Sequence, residues 1–231
     1  MLLQQPRIKI HGCMKSGTNL LEFFLRNYFE FDPMVNERAW KHGPINEELA
    51  ASHIIIYKDV FAWLHSMHNY LVWYRKNKPK QYFMKSSAAN LKEFIRRRFV
   101  YTMNEQRQDY ANPVLIYRDS HQSWLESKCR GAKVFVRYEE LLTRTEPVLD
   151  EICNIVSHNC GGRKILYPVG QQSYDGFKDR TAAAEQKYEK IKFYRNREYM
   201  NFYDNSDLDF VNGIVGLELP TELAVNSIQV E

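Results

Sequence analysis

The sequence predicts an α/β protein: a single domain in three layers, with a central parallel sheet flanked by helices. Two observations predict this. Short strand-like runs alternate along the chain with longer stretches of helical period, and the strand-like runs are largely apolar along their length, as strands buried on both faces are. Length and composition agree, since 231 residues suffice for one substantial domain, and a hydrophobic share of 44% with 26% charged is that of an ordinary globular chain. No repeat, low-complexity tract or clear linker interrupts it.

The elements follow in order. Residues 8–11 form a short strand, and Gly12 ends it. Residues 18–29 have helical period, with Leu20, Leu21, Phe24, Leu25 and Tyr28 on one side, and Asp32-Pro33 stops the helix. A loop is expected through residues 39–44, because Gly43 and Pro44 forbid a regular helix. Residues 53–57, with three consecutive isoleucines, read as a strand buried on both faces, and residues 58–74 as the helix after it. Residues 91–104 are expected as another helix, with Arg96-Arg97-Arg98 inside it. Residues 132–142 read as a strand and turn, entering a helix that ends near His158. Residues 161–182 are loop-rich, and residues 185–212 return to charged, aromatic helix.

The net charge of +4 is mild and suits anionic small molecules, but it is too weak to argue for nucleic acid. The first residues run almost directly into the first strand with no charged-then-apolar leader, and no apolar run approaches the roughly 18 residues a membrane span needs. Cys13, Cys129, Cys153 and Cys160 show no paired metal spacing, so all four are expected as reduced thiols. The expectation is a cytoplasmic protein with no membrane span and no nucleic-acid partner.

The chemistry concentrates after the first strand. A glycine-rich turn between strand and helix leaves backbone N–H groups for an anion, and the helix dipole adds partial positive charge. Lys15 supplies a full charge there, while Ser16, Gly17, Thr18 and Asn19 supply donors at the helix start. A nucleoside-triphosphate loop would place its lysine after the last glycine and follow it with a hydroxyl for magnesium. Lys15 instead precedes Gly17 by two positions, and the strand ending at Tyr57 gives Lys58-Asp59, a cation ahead of any metal-holding carboxylate.

Lys15-Ser16-Gly17-Thr18 after a strand resembles the 5′-phosphosulfate loop of the sulfotransferases that use 3′-phosphoadenosine 5′-phosphosulfate (PAPS), and the chain looks most like their bacterial carbohydrate-type members. Met14, Asn19 and Leu20 stand where the family's commonest form has Pro, Thr and Trp, so one usual adenine-stacking residue is missing. Lys58 and Ser66 have the spacing of the family's 3′-phosphate pair, a basic residue at a strand end and a serine in the next helix. Lys58 replaces the commoner arginine, which loses a bidentate grip, and Val60 replaces a proline. Residues 134–142 resemble a strand and turn whose tyrosine reaches the nucleotide, with Tyr138 as the counterpart. Residues 193–211 resemble the terminal helices of bacterial members. Residues 176–181 are placed like the C-terminal nucleotide loop, which makes Lys178 and Arg180 candidates for the 3′-phosphate, although the usual Arg-Lys-Gly wording is missing. The resemblance implies a P-loop-like three-layer fold, PAPS as co-substrate, 3′-phosphoadenosine 5′-phosphate (PAP) as product, and no metal requirement.

Sulfuryl transfer needs charge neutralised on the leaving oxygens and a base for the acceptor's proton. Lys15 is assigned to the bridging oxygen and 5′-phosphate, with Thr18 and Asn19 in support. His42, in a segment resembling the family's Lys-His-Pro loop, is the candidate base, with an expected pKa near 7. Glu37, Glu47 and Glu48 are the alternatives, since some carbohydrate-type members use a glutamate. His65 and His68, three apart on a helix, read as a packed or solvated face rather than metal ligands, and the Arg96–Arg98 triplet as a solvated face. Three readings stay open: a sulfotransferase acting on a sugar or other small hydroxyl acceptor, a P-loop small-molecule or nucleotide kinase, and a non-catalytic nucleotide- or nucleic-acid-binding module.

Overall fold

The computed structural model describes residues 7–29, 41–77, 84–103, 106–156, 182–216 and 224–226. In chain order its elements are β1 (Ile8–His11), α1 (Thr18–Phe29), β2 (Ser52–Tyr57), α2 (Val60–Asn77), β3 (Met84–Lys85), α3 (Leu91–Phe94), β4 (Phe99–Met103), β5 (Gln106–Tyr110), α4 (Pro113–Glu126), β6 (Lys133–Arg137), α5 (Tyr138–Thr143), α6 (Thr145–Ile155), α7 (Ala182–Arg195), a 3-10 turn (Glu198–Phe202), α8 (Asn205–Val215) and β7 (Ala224–Asn226). They fall into two compact units, one drawn from residues 1–58, 126–196 and 220–231, the other from 59–125 and 197–219.

The first unit is built on a sheet of order β1-β2-β6-β7. β1, β2 and β6 run parallel, and β7 pairs antiparallel with β6. Ile10 lies opposite Ile54 and Ile54 opposite Val134, while Ile56 lies opposite Val136; all five are fully buried. Each such side chain contributes about 1.5–3 kcal/mol on burial, and a one-residue slip would turn the whole row to the other face. That other face is not apolar as expected. Lys9 lies opposite His53 and His53 opposite Lys133, all three buried. The adjacent His11 Nε2 meets His53 Nδ1 at 3.0 Å. α1 packs on β1 and α6, α5 and α6 pack on β6, and α7 packs on α5.

The sheet therefore departs from the all-parallel expectation at β7, a three-residue Ala-Val-Asn edge strand too short for its pattern to declare a period. The loop-rich stretch at residues 161–181 lies outside the described residues.

The second unit carries a three-stranded antiparallel sheet, β3-β4-β5, with α2, α3, the 3-10 turn and α8. It corrects the helix expected over residues 91–104. α3 starts under an Asn90 cap, whose side chain accepts from Glu93 N at 2.9 Å, and ends at Phe94. Phe99-Val100-Tyr101 then alternates buried, half-buried, buried in β4. β-Branched and aromatic residues at period two outweigh helical propensity there. The expected helix over residues 185–212 breaks into α7, the 3-10 turn and α8. Arg197 adopts a left-handed φ of 52° and Asp204 opens α8 with a reciprocal capping box to Asp207, so one continuous helix is ruled out.

Candidate nucleotide site

The loop between β1 and α1 is held by its own backbone. Ser16 N donates to Cys13 O at 3.0 Å, Gly12 N donates to Lys41 O at 3.0 Å, and Leu20 N and Leu21 N both donate to Gly17 O. Lys15 (φ 66°) and Gly17 (φ 107°) lie in the left-handed region. For a lysine this costs about 1–2 kcal/mol, the kind of strain that binding loops retain. Glycine is required at both glycine positions. A Cβ on Gly17 would collide with the Tyr138 ring, and one on Gly12 would come within 2.5 Å of Ile56 O and Ser16 Oγ. Ser16 and Thr18 are buried, and Ser16 Oγ has no hydrogen-bond partner among the described residues. The first turn of α1 holds no acidic side chain, so its positive dipole end is not offset there.

Tyr138 is where the rest of the site gathers. It is the first residue after β6, just as Lys58 is the first after β2 and Gly12 the first after β1, so the three stand at the carboxyl ends of parallel strands. Buried Lys58 places Nζ 4.2 Å from the Tyr138 ring centroid and donates to Tyr194 Oη at 3.0 Å. Tyr194 itself packs edge-on against Tyr138, with centroids 5.1 Å apart. Lys190 Nζ approaches the same ring, 5.6 Å from its centroid.

Lys58 depresses both Lys15 and Lys190. Burial pulls the Lys58 ammonium down to about 7, with Glu139 opposing the shift. Lys15 is lowered by desolvation and then by Lys58; Lys190 is lowered by desolvation, then by Lys58 and Lys15. Lys15 and Lys190 keep surface in solvent while protein crowds their ammonium groups. Glu139 is also 3.4 Å from Arg137 Nε, so its charge is shared. Burial pushes the Tyr138 phenol up, which keeps it neutral.

His42 sits beside the loop. Its Nδ1 meets Gly12 O at 2.5 Å, which makes Nδ1 the protonated nitrogen and Nε2 the acceptor in the neutral ring. Its pKa is not near 7 as expected from sequence: burial lowers it to about 4, more than the Gly12 carbonyl raises it. The neighbouring Lys41 donates to Asn19 Oδ1 at 2.5 Å and lies 3.7 Å from Glu22 Oε2, tying the loop to the start of α1. Asn19 thus has its oxygen engaged and its amide nitrogen as a donor.

Loop, Lys58, Tyr138 and His42 thus all belong to the first unit. Ser66 belongs to the second, on α2, where its Oγ donates to Ala62 O at 2.9 Å. Lys178, Arg180 and Glu37 lie outside the described residues. Glu47 accepts from Lys128 N at 2.6 Å, a structural task, and Glu48 is exposed. His65 stacks on Phe202 and His68 packs on Phe94, and no group of three metal-ligating side chains occurs among the described residues. Arg96 pairs with Asp207, Arg97 with Glu93 and Arg98 with Asp109, so the triplet serves three separate carboxylates, beyond the end of a helix rather than inside one. Cys153 is disulfide-bonded, which corrects the expectation of four reduced thiols; Cys13 and Cys129 are free thiols. No helix among the described residues is long and apolar enough to cross a membrane.

Sequence reading missed Lys190, Tyr194 and the Lys41 tie to Asn19. Only one signal was available: Lys190 and Tyr194 are four apart and share a helix face. Comparison with known proteins finds no matching family model, no matching curated protein and no matching solved structure.

Proposed function

We propose that this protein is a PAPS-dependent sulfotransferase that moves a sulfuryl group to a hydroxyl of a sugar or other small acceptor and releases PAP. One observation carries the reading: the strained Lys15–Gly17 loop, the buried Lys58 and the Tyr138 ring meet at the carboxyl ends of three parallel strands. Ligands of open α/β sheets sit at such ends. The fold in this reading is three-layer and P-loop-like, the chain is one domain, and the protein works in the cytoplasm.

The acceptor oxygen attacks sulfur in line, the bond from sulfur to the bridging oxygen breaks, and that oxygen leaves on the 5′-phosphate. Lys15 and the loop N–H groups neutralise the charge it gains. Thr18 and Asn19 support the phosphosulfate, and Ser16 Oγ supplies a further buried donor. Lys58 and Ser66 hold the 3′-phosphate, with Lys178 or Arg180 as further cations, and Tyr138 borders the nucleotide. The lysines supply the charge, so the reading assigns no metal. The acceptor's proton passes to His42 Nε2. A pKa of about 4 makes His42 a weak base by itself. The anionic donor raises it, so basicity develops with the substrate in place.

Transfer of radiolabelled sulfur from PAPS to a panel of glycans, lipids and small alcohols tests this reading. Labelled product in the wild type, with turnover lost in Lys15→Ala while PAP affinity falls far less, is the expected pattern. His42→Ala should slow transfer by about 10²–10⁴-fold with PAP affinity little changed. Transfer of the terminal phosphate of magnesium-ATP instead would establish a kinase.

A further inference from the structure

Lys190 is a cation to which the reaction above gives no task. It precedes Tyr194 by four residues on α7, so the two side chains leave one face of the helix together. Both reach Tyr138: the Tyr194 ring edge-on at 5.1 Å and Lys190 Nζ at 5.6 Å from the ring centroid. Lys58 Nζ is on the same ring at 4.2 Å, and the ring borders Gly17 of the loop. An aromatic face holds an ammonium in place without neutralising it, which leaves the charge for another partner. Lys58 lowers the proton affinity of both Lys15 and Lys190, and Lys15 lowers that of Lys190, while Glu139, the carboxylate that opposes the Lys58 shift, is also engaged by Arg137. Such an arrangement is costly until an anion enters it. One phosphate group offsets only part of the excess; two offset it more fully.

We propose that Lys190 is a third ligand-binding cation of this site, and that through it α7 selects ligands with more than one phosphate or sulfate group over monophosphates. The inference rests on the reading of this cluster as an anion site; it does not require that sulfuryl transfer follows. Lys190 and Lys192 both keep exposed surface, and Lys192, two residues further along α7 and so on a different helix face from the one that meets Tyr138, provides the comparison.

The test is calorimetric titration of the full chain with PAP, AMP and inorganic pyrophosphate, using wild type, Lys190→Met, Lys190→Gln, Lys190→Arg and Lys192→Met, each first checked for an unchanged melting curve. Lys190→Met and Lys190→Gln should each weaken PAP and pyrophosphate about tenfold, the worth of one charge-assisted contact, and AMP by clearly less. Lys190→Arg should restore most of the loss, and Lys192→Met should match wild type. PAP binding indifferent to both neutral variants, or equal losses for PAP and AMP, overturns the inference and leaves the sulfotransferase reading standing. Pyrophosphate binding that depends on Lys190, without PAP binding, upholds the inference and removes that reading. A wild type that binds neither ligand overturns both.

Discussion

A buried lysine is an expensive way to fill space, and Lys58 shows the expense in a pKa pulled to about 7. Replacing such a group by an apolar one of similar volume is often neutral or stabilising by about 1–4 kcal/mol. Lys58→Met should therefore raise the melting temperature while weakening PAP, and a variant that loses both would make Lys58 a structural residue. The same value sets a pH dependence. The Lys58 ammonium faces the rings of Tyr138 and Tyr194 and is coupled to Glu139, Lys15 and Lys190, and a bound anion favours the charged form. Above about pH 7 the ligand-free protein has released the Lys58 proton, so binding must take one up, and PAP affinity should fall by up to about tenfold per pH unit. Affinity flat from pH 7 to 9 would contradict this. Lys58 and Tyr138 were legible in the sequence because each follows directly on an apolar run that could only be a strand. The low pKa of His42 was not, because it arises from tertiary burial that no local pattern encodes.

At the scale of elements, what the sequence revealed and what it hid have the same cause. β1, α1 and β2 were legible because period and a glycine-marked turn coincide at residues 8–29, and three isoleucines in a row leave no alternative at residues 54–56. The run at residues 91–104 misled because four helical residues under the Asn90 cap pass into β4 without a proline or glycine between them. The cross-strand partners that decide β4, Tyr110 opposite Phe99 and Gln108 opposite Tyr101, lie in β5, a mostly polar Gln-Arg-Gln-Asp-Tyr run whose pattern does not announce a strand. In the loop itself, Gly17→Ala puts a methyl group against Tyr138 at a φ that alanine resists, so it should reduce PAP affinity by more than tenfold and lower the melting temperature. Unchanged binding in that variant would place the nucleotide elsewhere. The paired strands β1 and β2 add an acid sensitivity. Burial lowers His11 to about 3 and His53 to about 4, and outside the sheet it lowers His42 and His121 to about 4. With folded values depressed below the unfolded 6.5, their stabilisation is complete above pH 6.5 and is lost as pH falls towards 4. Urea midpoints should drop between pH 7 and 5; a constant midpoint would mean these imidazoles are not buried neutral.

At the scale of the whole molecule, neither compact unit is one continuous segment. The chain passes between them after residues 58, 125, 196 and 219, so each unit is threaded through the other's sequence. Under the one-domain expectation, heating should give a single transition by calorimetry and by tryptophan fluorescence, and two separated transitions would count against it. The proposed 3′-phosphate pair is Lys58, directly after β2, and Ser66, on α2. PAP and AMP differ only in the 3′-phosphate, and a charge-assisted contact with a hydroxyl hydrogen bond to that group is worth about 1.5–3 kcal/mol for each bond. Calorimetric titration of the wild type with PAP and with AMP, in the absence of magnesium, measures that difference directly. The account predicts PAP binding at least about tenfold tighter than AMP, with Lys58→Ala and Ser66→Ala each drawing the two affinities together. Equal wild-type affinities for PAP and AMP would contradict it.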